Sequence, residues 1–232
     1  MGAGYQYIAV CDHSRSVGIA GGLFDEALLR QIAEIRAINE RLSGFTILAG
    51  SECDIRRDGS LDYPDQVLAQ LDFVIGAVHS GFKLDAESMT SRIIDAMHNP
   101  CLDALAHPTG RIIGKRDPYE VDLERLLAAA AELGVALEIN SYPDRLDLRD
   151  TDARRAKEMG VKVVINTDAH DCDHLRLITY GVATARRGWL EPADVLNTLP
   201  LQELRKRLRR NARPRSEKEE FTTKTQRHKD RI

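Results

Sequence analysis

The stretch LDFVIGAVH, residues 71–79, indicates what kind of sheet this chain forms. It is apolar on both faces and it ends directly in a histidine. Strands that are buried on both faces are typical of parallel sheets covered by helices, whereas half-exposed antiparallel strands alternate polar and apolar residues. Five further runs of the same character are YQYIAVC (5–11), FTILAG (45–50), LDALA (102–106), VALEIN (135–140) and VKVVINT (161–167).

Segments with helical periodicity separate these predicted strands. The spacing of their apolar residues predicts helices over 24–42, 85–97, 121–134, 152–160, 174–187, 192–198 and 200–210. Pro192 and Pro200 suit the first turns of the last two helices. At least six strands alternating with helices predict an α/β fold, and the pattern alone allows either a barrel or an open sheet.

Composition places the chain among ordinary globular proteins. It has 232 residues, of which 43% are hydrophobic and 30% are charged, which excludes a fibrous or wholly disordered protein. No apolar run approaches the ~18–20 residues of a membrane span, and MGAGYQYIAVC has no signal-peptide pattern. The four cysteines are scattered without a C-x-x-C motif, so we expect reduced thiols and a cytoplasmic location.

Charge is distributed unevenly along the chain. Residues 205–232 hold 12 Lys or Arg against 4 Asp or Glu, a net charge of +8, whereas the first 204 residues carry a net charge of −11. We predict a domain over 1–211 and a disordered, charged tail over 212–232. The run RKRLRRNARPR (205–215) is either a DNA-phosphate contact or a solvated basic helix end.

Residues that can bind metal ions follow the ends of the predicted strands. Because the C-terminal ends of parallel strands share one rim, side chains placed there are expected to converge on a common site. Four of the seven histidines have this placement, together with two carboxylates and an asparagine: His13, His79, His107, His170, Glu52, Asp168 and Asn140.

Imidazole and carboxylate groups are ligands of zinc, manganese and iron. Four histidines and two carboxylates exceed the three or four protein ligands of one catalytic metal, so the sequence predicts a site with two or more metal ions. Asp12 and Asn140 are expected beside these ligands and not among them.

Basic residues near the same rim are candidates for binding phosphate. Arg111 lies in HPTGR directly after His107, Lys115 follows in the same loop, and Arg145 lies in the loop after Asn140. Arginine offers two parallel N–H donors to a phosphate, and lysine offers a point charge. The chain contains no P-loop, no G-x-G-x-x-G after a strand and no G-x-S-x-G.

An ordered series of motifs resembles the PHP (polymerase and histidinol phosphatase) domain, and most closely that of bacterial family X DNA polymerases. The resemblance covers residues 4–210 and is carried by CDHS (11–14), GSECDI (50–55), DGSLDYPD (58–65), GAVHS (76–80), AHPTGR (106–111), EINSYPDRLDL (138–148), NTDAH (166–170) and GVATARRGWLEPADVLNTLPLQEL (181–204).

The resemblance implies a distorted (β/α)₇ TIM-like barrel with a three-metal centre holding Mn²⁺ or Zn²⁺. It implies that Glu52, His79 and His107 hold one metal, that Glu52 and Asp168 share a second, and that His13 and His170 hold a third. Family members begin with a strand that carries H-x-H. Because MGAGYQY corresponds to the segment after that strand, we expect a barrel that lacks its first strand.

The resemblance also implies an activity and partners. We expect a metal-dependent phosphoesterase that acts on DNA 3′ ends as a 3′–5′ exonuclease with a role in DNA repair. Polymerase domains, or another chain that supplies the missing strand, are the expected protein partners, and no membrane is involved. The alternatives are an inactive metal-binding remnant, an amidohydrolase-like metallohydrolase and a histidinol-phosphatase-like enzyme that acts on small molecules.

Overall fold

The computed structural model describes residues 4–18 and 21–209 of the chain. In these residues the six strands form one parallel sheet whose strand order follows the chain order. The strands are β1 (Tyr7–His13), β2 (Thr46–Asp54), β3 (Phe73–Ala77), β4 (Ala104–Leu105), β5 (Ala136–Asn140) and β6 (Val163–Asn166). The prediction of six parallel strands is confirmed, but β1, at the edge of the sheet, is only partly buried.

Helices connect successive strands and cover the outer face of the sheet. They are α1 (Asp25–Asn39), α2 (Asp65–Leu68), α3 (Ala86–Met97), α4 (Leu123–Leu133), α5 (Asp150–Glu158), α6 (Ile178–Arg187) and α7 (Leu201–Arg207). Leu28, Ile93 and Leu126 pack from these helices into the outer apolar core, which lies between helices and sheet. All except the short α2 were predicted.

The sheet curls into a half-barrel that has its own apolar interior. This second core contains residues from β2 to β6 together with two leucines of the C-terminal segment, and its buried members are Leu48, Phe73, Ile75, Ala77, Ala104, Ala106, Ala136, Val164, Leu204 and Leu208. Below the C-terminal ends of its strands, the inner face of the sheet is therefore apolar, as the outer face is. This explains why the strands show no polar alternation in sequence.

The barrel remains open beside β1. In the described residues β1 pairs with β2 alone, and the next chain segment around the barrel bridges β6 at Val195. The hydroxyl of Tyr7 spans the opening and donates to the carbonyl of Leu199 at 2.8 Å. This geometry agrees with the expected barrel without its first strand.

The segment 192–198 differs from the predicted helix. It forms two separate 3₁₀ turns, Pro192–Asp194 and Leu196–Thr198. The side chain of Asn197 bonds both the N–H and the carbonyl of Ile165, at 3.0 and 2.7 Å. These contacts hold the segment along the free edge of β6, where a continuous helix would leave that edge unpaired.

Helix α7 and the residues after it close the lower end of the barrel. Leu204 and Leu208 enter the interior core, and the buried guanidinium of Arg209 donates to the carbonyls of Met97, Asn99 and Leu102. The first part of the predicted basic run is therefore structural, and it lies at the opposite end from the C-terminal strand ends. The predicted tail, residues 212–232, lies outside the described residues.

A search for membrane-spanning helices covered the described ranges. None of their helices combines the length and the apolar character needed to cross a membrane.

Candidate metal centre

Side-chain alternation places a polar layer above the apolar interior. In β2, Leu48 faces the interior core, so Glu52, four residues later, faces the same side at the C-terminal end of the strand. His79 has the same relation to Ile75 beyond the end of β3. The rim that the sequence predicts is therefore the upper part of the barrel interior.

Glu52 lies at the centre of three imidazoles. Its Oε1 is 3.0 Å from Nε2 of His107 and 3.2 Å from Nε2 of His79. Its Oε2 is 3.6 Å from Nδ1 of His13. The structure thus brings four of the six predicted ligands together from four neighbouring strands and the loops that follow them.

These contacts change the acidities of the carboxyl and imidazole groups. Burial alone would raise the pKa of Glu52, but hydrogen bonds from His107 and His79 outweigh burial and hold that pKa well below its usual range. Burial would lower the pKa of His79, yet hydrogen bonds to Asp54 and Glu52 raise it to about 9. Each group therefore favours the charged form of the other.

Asp54 orients the ring of His79 through the nitrogen that faces away from Glu52. Its Oδ1 lies 3.2 Å from Nδ1 of His79 and also accepts the backbone N–H of that residue at 3.1 Å. This leaves Nε2 directed at Glu52. A carboxylate that holds one nitrogen of a histidine while the other faces a metal is a common arrangement in metal sites.

Asp168 lies on the far side of the centre, with a positive φ of 51° at the end of β6. Its Oδ2 accepts from Nδ2 of Asn140 at 3.1 Å and lies 3.4 Å from Nε of Arg145. Burial lowers the pKa of His13, and the charges of Glu52 and Asp168 oppose that effect. His170, in contrast, has a side chain that is 67% exposed.

The residues present fit a metal ion. One ligand atom from each of His13, Glu52 and His79 lies within 4.8 Å of the others. Among the described residues, the buried Nδ1 of His13 has no hydrogen-bond partner, and it lies 3.6 Å from Oε2 of Glu52. Buried polar atoms without partners are costly, and a bound cation with its waters would satisfy such nitrogens.

The predicted phosphate-binding residues occupy different positions. Arg145 lies beside Asp168, and within the part of the chain that the structure describes its buried Nη1 has no hydrogen-bond partner. Arg111 instead donates to the carbonyls of Arg145 and Leu146, so it holds the loop that carries Arg145. Lys115 has a side chain that is 71% exposed and pairs with Asp144 at 3.3 Å.

Asn140 and Asp12, which were predicted to lie beside the ligands, occupy different positions in the structure. Asn140 is buried under the centre, where it contacts Asp168. Asp12 is exposed and accepts a hydrogen bond from Gln31 on α1, because neighbouring residues of a strand point to opposite faces and His13 takes the inner one.

Asp54 and Glu138 are site residues that the sequence reasoning missed. Glu138 is 4% exposed and lies beneath His107, whose backbone N–H it accepts at 2.7 Å. Both residues carried a signal, because each lies two positions from a selected residue and so on the same face of its strand. Glu138 carried a second signal, as an acidic residue within the otherwise apolar run VALEIN (135–140).

Comparison with known proteins identifies the family. No family model matches the sequence. The chain is 45% identical over 208 residues to the DNA polymerase/3′-5′ exonuclease PolX of Bacillus subtilis, which covers 90% of this chain and 36% of the relative. It is 33% identical over 177 residues to a probable phosphatase of Thermoanaerobacter sp. (strain X514), which covers 72% of this chain and 67% of the relative. The chain belongs to the PHP family.

Its PHP domain is related to that of the family X polymerases, as the motifs implied. The chain spans about a third of that polymerase and about two thirds of the phosphatases.

A solved structure shows the same fold. The histidinol phosphate phosphatase HisK of Lactococcus lactis, solved with zinc, L-histidinol and phosphate, superposes with a TM-score of 0.56 at 16% identity. The match covers 82% of this chain and 84% of that one. The architecture here is therefore a PHP-type, TIM-like barrel.

Proposed function

We propose that this PHP domain is a metal-dependent phosphoesterase that hydrolyses the 3′ ends of DNA. The observation that carries the proposal is the convergence of His13, His79 and His107 on the carboxylate of Glu52. The similarity to a polymerase that is also a 3′-5′ exonuclease supports the choice of DNA as substrate.

The cofactor is Mn²⁺ or Zn²⁺. Glu52, His79 and His107 would hold one ion, with Asp168, His13 and His170 contributing to further ions. Divalent cations at such a site would supply a water of lowered pKa and neutralise charge on the reacting phosphate. Asp54 fixes the His79 ring, and Arg145 offers its unpartnered N–H to a phosphate oxygen in a partly buried setting where such a bond is strong.

One side of the candidate metal centre carries basic residues, and the binding of a polyanionic DNA strand requires such positive charge. The loops after β4 and β5 are joined, since the N–H of Ile113 donates to the carbonyl of Asp144 at 2.6 Å. Together they present a basic wall, which we define as Arg111, Lys115, Arg116 and Arg145. A DNA strand extends beyond the reacting phosphate and can use several of these charges, whereas a small phosphoester uses one or two.

The open edge of β1 fits the expected partners. A strand added there, from polymerase domains of a longer chain or from another chain, would run along β1 as far as His13, whose carbonyl already accepts the N–H of Leu23 at 2.8 Å. Its inward side chains would then enter the metal centre from the side where β1 has no described strand partner. A cytoplasmic location and a role in DNA repair complete the proposal.

The test is hydrolysis by the protein loaded with Mn²⁺ or Zn²⁺. The substrate is a single-stranded oligonucleotide labelled at its 5′ end, and the comparison substrates are L-histidinol phosphate, an amide and a lactone. We expect stepwise shortening from the 3′ end that a chelator, His79→Ala or Glu52→Ala abolishes. His98→Ala is the matched control, because His98 is exposed at the end of α3.

Three results would contradict the proposal. Preference for L-histidinol phosphate would make the domain a small-molecule phosphatase. Preference for the amide or lactone would indicate an amidohydrolase-like enzyme. A folded, metal-loaded protein without activity on any of these substrates would be a metal-binding remnant.

A further inference from the structure

The carboxylate of Glu138 lies beneath the metal centre and contacts the supports of two candidate ligands. Its Oε2 accepts the backbone N–H of His107 at 2.7 Å, and its Oε1 accepts from Nδ2 of Asn166 at 2.8 Å. Oε2 also lies 3.3 Å from Nδ2 of Asn140. The side chain of Glu138 on β5 thus connects the C-terminal end of β6 with the loop that follows β4.

The contact with His107 acts on an unusual backbone conformation. His107 has a φ of 26°, in a region that residues with a Cβ rarely adopt. Its backbone N–H must therefore find an acceptor in the direction that this conformation dictates, and Glu138 supplies it. Nε2 of His107 is then directed at Glu52 at 3.0 Å.

The contact with Asn140 reaches the second ligand. The Oδ1 of Asn140 accepts the N–H of Tyr142 at 2.9 Å, which fixes the direction of the amide. Its Nδ2 therefore faces both Glu138 and Asp168, the latter at 3.1 Å. Asp168 also has a positive φ, 51°, so it too depends on neighbouring groups for its placement.

We propose that Glu138 is a positioning residue of the metal centre, which sets the places of His107 and Asp168 through three hydrogen bonds from neutral donors. This role rests on the proposed metal-dependent function. Glu138 accepts from N–H groups in these contacts, and within the described residues no hydrogen bond or ion pair joins its carboxylate to a ring nitrogen of a predicted ligand. Glu138 contributes by placing its carboxylate oxygens where these N–H groups need acceptors.

Two substitutions separate acceptor geometry from simple burial. Glu138→Gln keeps an acceptor for the His107 N–H, and the amide of Asn166 can rotate to accept from the new NH₂ group. Glu138→Met has a similar length but offers no oxygen, so the His107 N–H and the Asn166 amide lose their acceptor, and Nδ2 of Asn140 keeps only Asp168. Thr90→Val is the matched control: Thr90 is buried in α3, and its hydroxyl joins the Ala86 carbonyl and the Asp122 N–H.

The measurements are the Kd for Mn²⁺ and Zn²⁺ by competition with a chromogenic chelator, and the thermal midpoint of the metal-free protein. We expect Glu138→Met to weaken metal binding by about 10- to 100-fold, as for other residues that orient ligands. Glu138→Gln should stay within about threefold of wild type, and Thr90→Val should lose thermal stability without changing the Kd.

Distinct outcomes would overturn this role. A Kd within twofold of wild type for a folded Glu138→Met protein, despite a lower thermal midpoint, would make Glu138 purely structural. Equal losses in the Gln and Met variants would exclude acceptor geometry as the cause. If the Met variant does not fold, Glu138→Asp decides, because its shorter carboxylate cannot reach all three donors and should weaken metal binding. A wild-type protein that binds no metal would instead overturn the proposed function itself.

Discussion

Oε1 of Glu52 lies 3.0 Å from Nε2 of His107, although 55 residues separate them in the chain. The same oxygen lies 3.2 Å from Nε2 of His79, so one atom faces two imidazoles from adjacent strands. In the metal-free protein at least one imidazole proton must lie between these groups. A cation bound there takes the place of a proton, so metal binding at neutral pH should release protons to the solvent.

The first prediction concerns metal content. The purified protein should retain at least one transition metal, because Glu52, His79 and His107 are the ligands that we propose for one ion, in a partly buried site. His107→Ala should lower the metal-to-protein ratio measured by elemental analysis, whereas His98→Ala should not. Absence of stoichiometric metal after reloading with manganese and zinc would contradict this prediction.

The second prediction concerns the pH dependence of stability without metal. The pKa of His79 is raised to about 9 from an ordinary value near 6.5. Its stabilising effect is therefore complete below about pH 6.5 and is lost as the pH rises through 9. Thermal unfolding in chelator should show stability falling over this window, by at most about 3 kcal/mol.

His79→Gln should flatten that profile between pH 6.5 and 9, since it removes the titrating group. An exposed histidine offers the control, and His98→Gln should leave the slope as it is in the wild type. A wild-type profile that is level across the window would show that Glu52 and Asp54 do not raise the pKa of His79 in solution.

The third prediction concerns Asp54. Asp54→Asn keeps the shape of the side chain and one acceptor oxygen but removes the negative charge, so the hydrogen bond that orients Nδ1 of His79 becomes weaker. Metal affinity should fall by about 10- to 100-fold, as measured by competition with a chelator. Asp58→Asn, in an exposed turn, is the matched control and should bind metal like the wild type.

The fourth prediction separates two arginines of the basic wall. Arg145→Ala should raise KM for the oligonucleotide by about tenfold, because a hydrogen bond to a charged group contributes about 1.5–3 kcal/mol. Arg111→Ala should act in the same direction through displacement of the 145–146 loop. Lys115→Ala should change KM less than twofold, since Lys115 is largely exposed. Equal effects of all three would favour a diffuse charge effect over a specific contact.

The fifth prediction concerns the C-terminal segment. Removal of residues 205–232 deletes Leu208 and Arg209, so we expect a lower thermal midpoint and a loosened barrel. Removal of residues 212–232 keeps both, and it therefore tests the tail alone. If the tail contacts DNA, this shorter deletion should weaken binding and flatten its dependence on salt while metal content stays unchanged. Equal affinities at two ionic strengths would exclude the tail from DNA binding.

The strand ends were predictable because buried parallel strands and their terminal histidines leave a local pattern. The places of His79 and His107 followed from that pattern. Asp54 was not predicted because β2 extends four residues beyond the apolar run FTILAG, and Glu138 was not predicted because it precedes the end of its strand. Every second residue of a strand faces the same side of the sheet, so counting two positions from Glu52 and from Asn140 identifies Asp54 and Glu138.

Other features depend on contacts between distant segments. Helical spacing favoured a helix over 192–198, but the hydrogen bonds of Asn197 to Ile165 draw that segment along β6. Likewise, the basic run 205–215 predicts a contact with DNA phosphates or a solvated helix end, and the tertiary structure shows Arg209 bound to three carbonyls. The sequence also contains no local pattern from which the hydrogen bonds of Arg111 to the carbonyls of Arg145 and Leu146 could be predicted.

The lower closure of the barrel has a consequence for synthesis on the ribosome. Because strand order follows chain order, each strand can pair with the one made just before it. The floor of the barrel, however, is supplied by Leu204 and Leu208, which emerge more than a hundred residues after Phe73. Until then the nascent chain exposes the apolar inner face of its sheet, which makes that stage the one most exposed to aggregation and most in need of a chaperone.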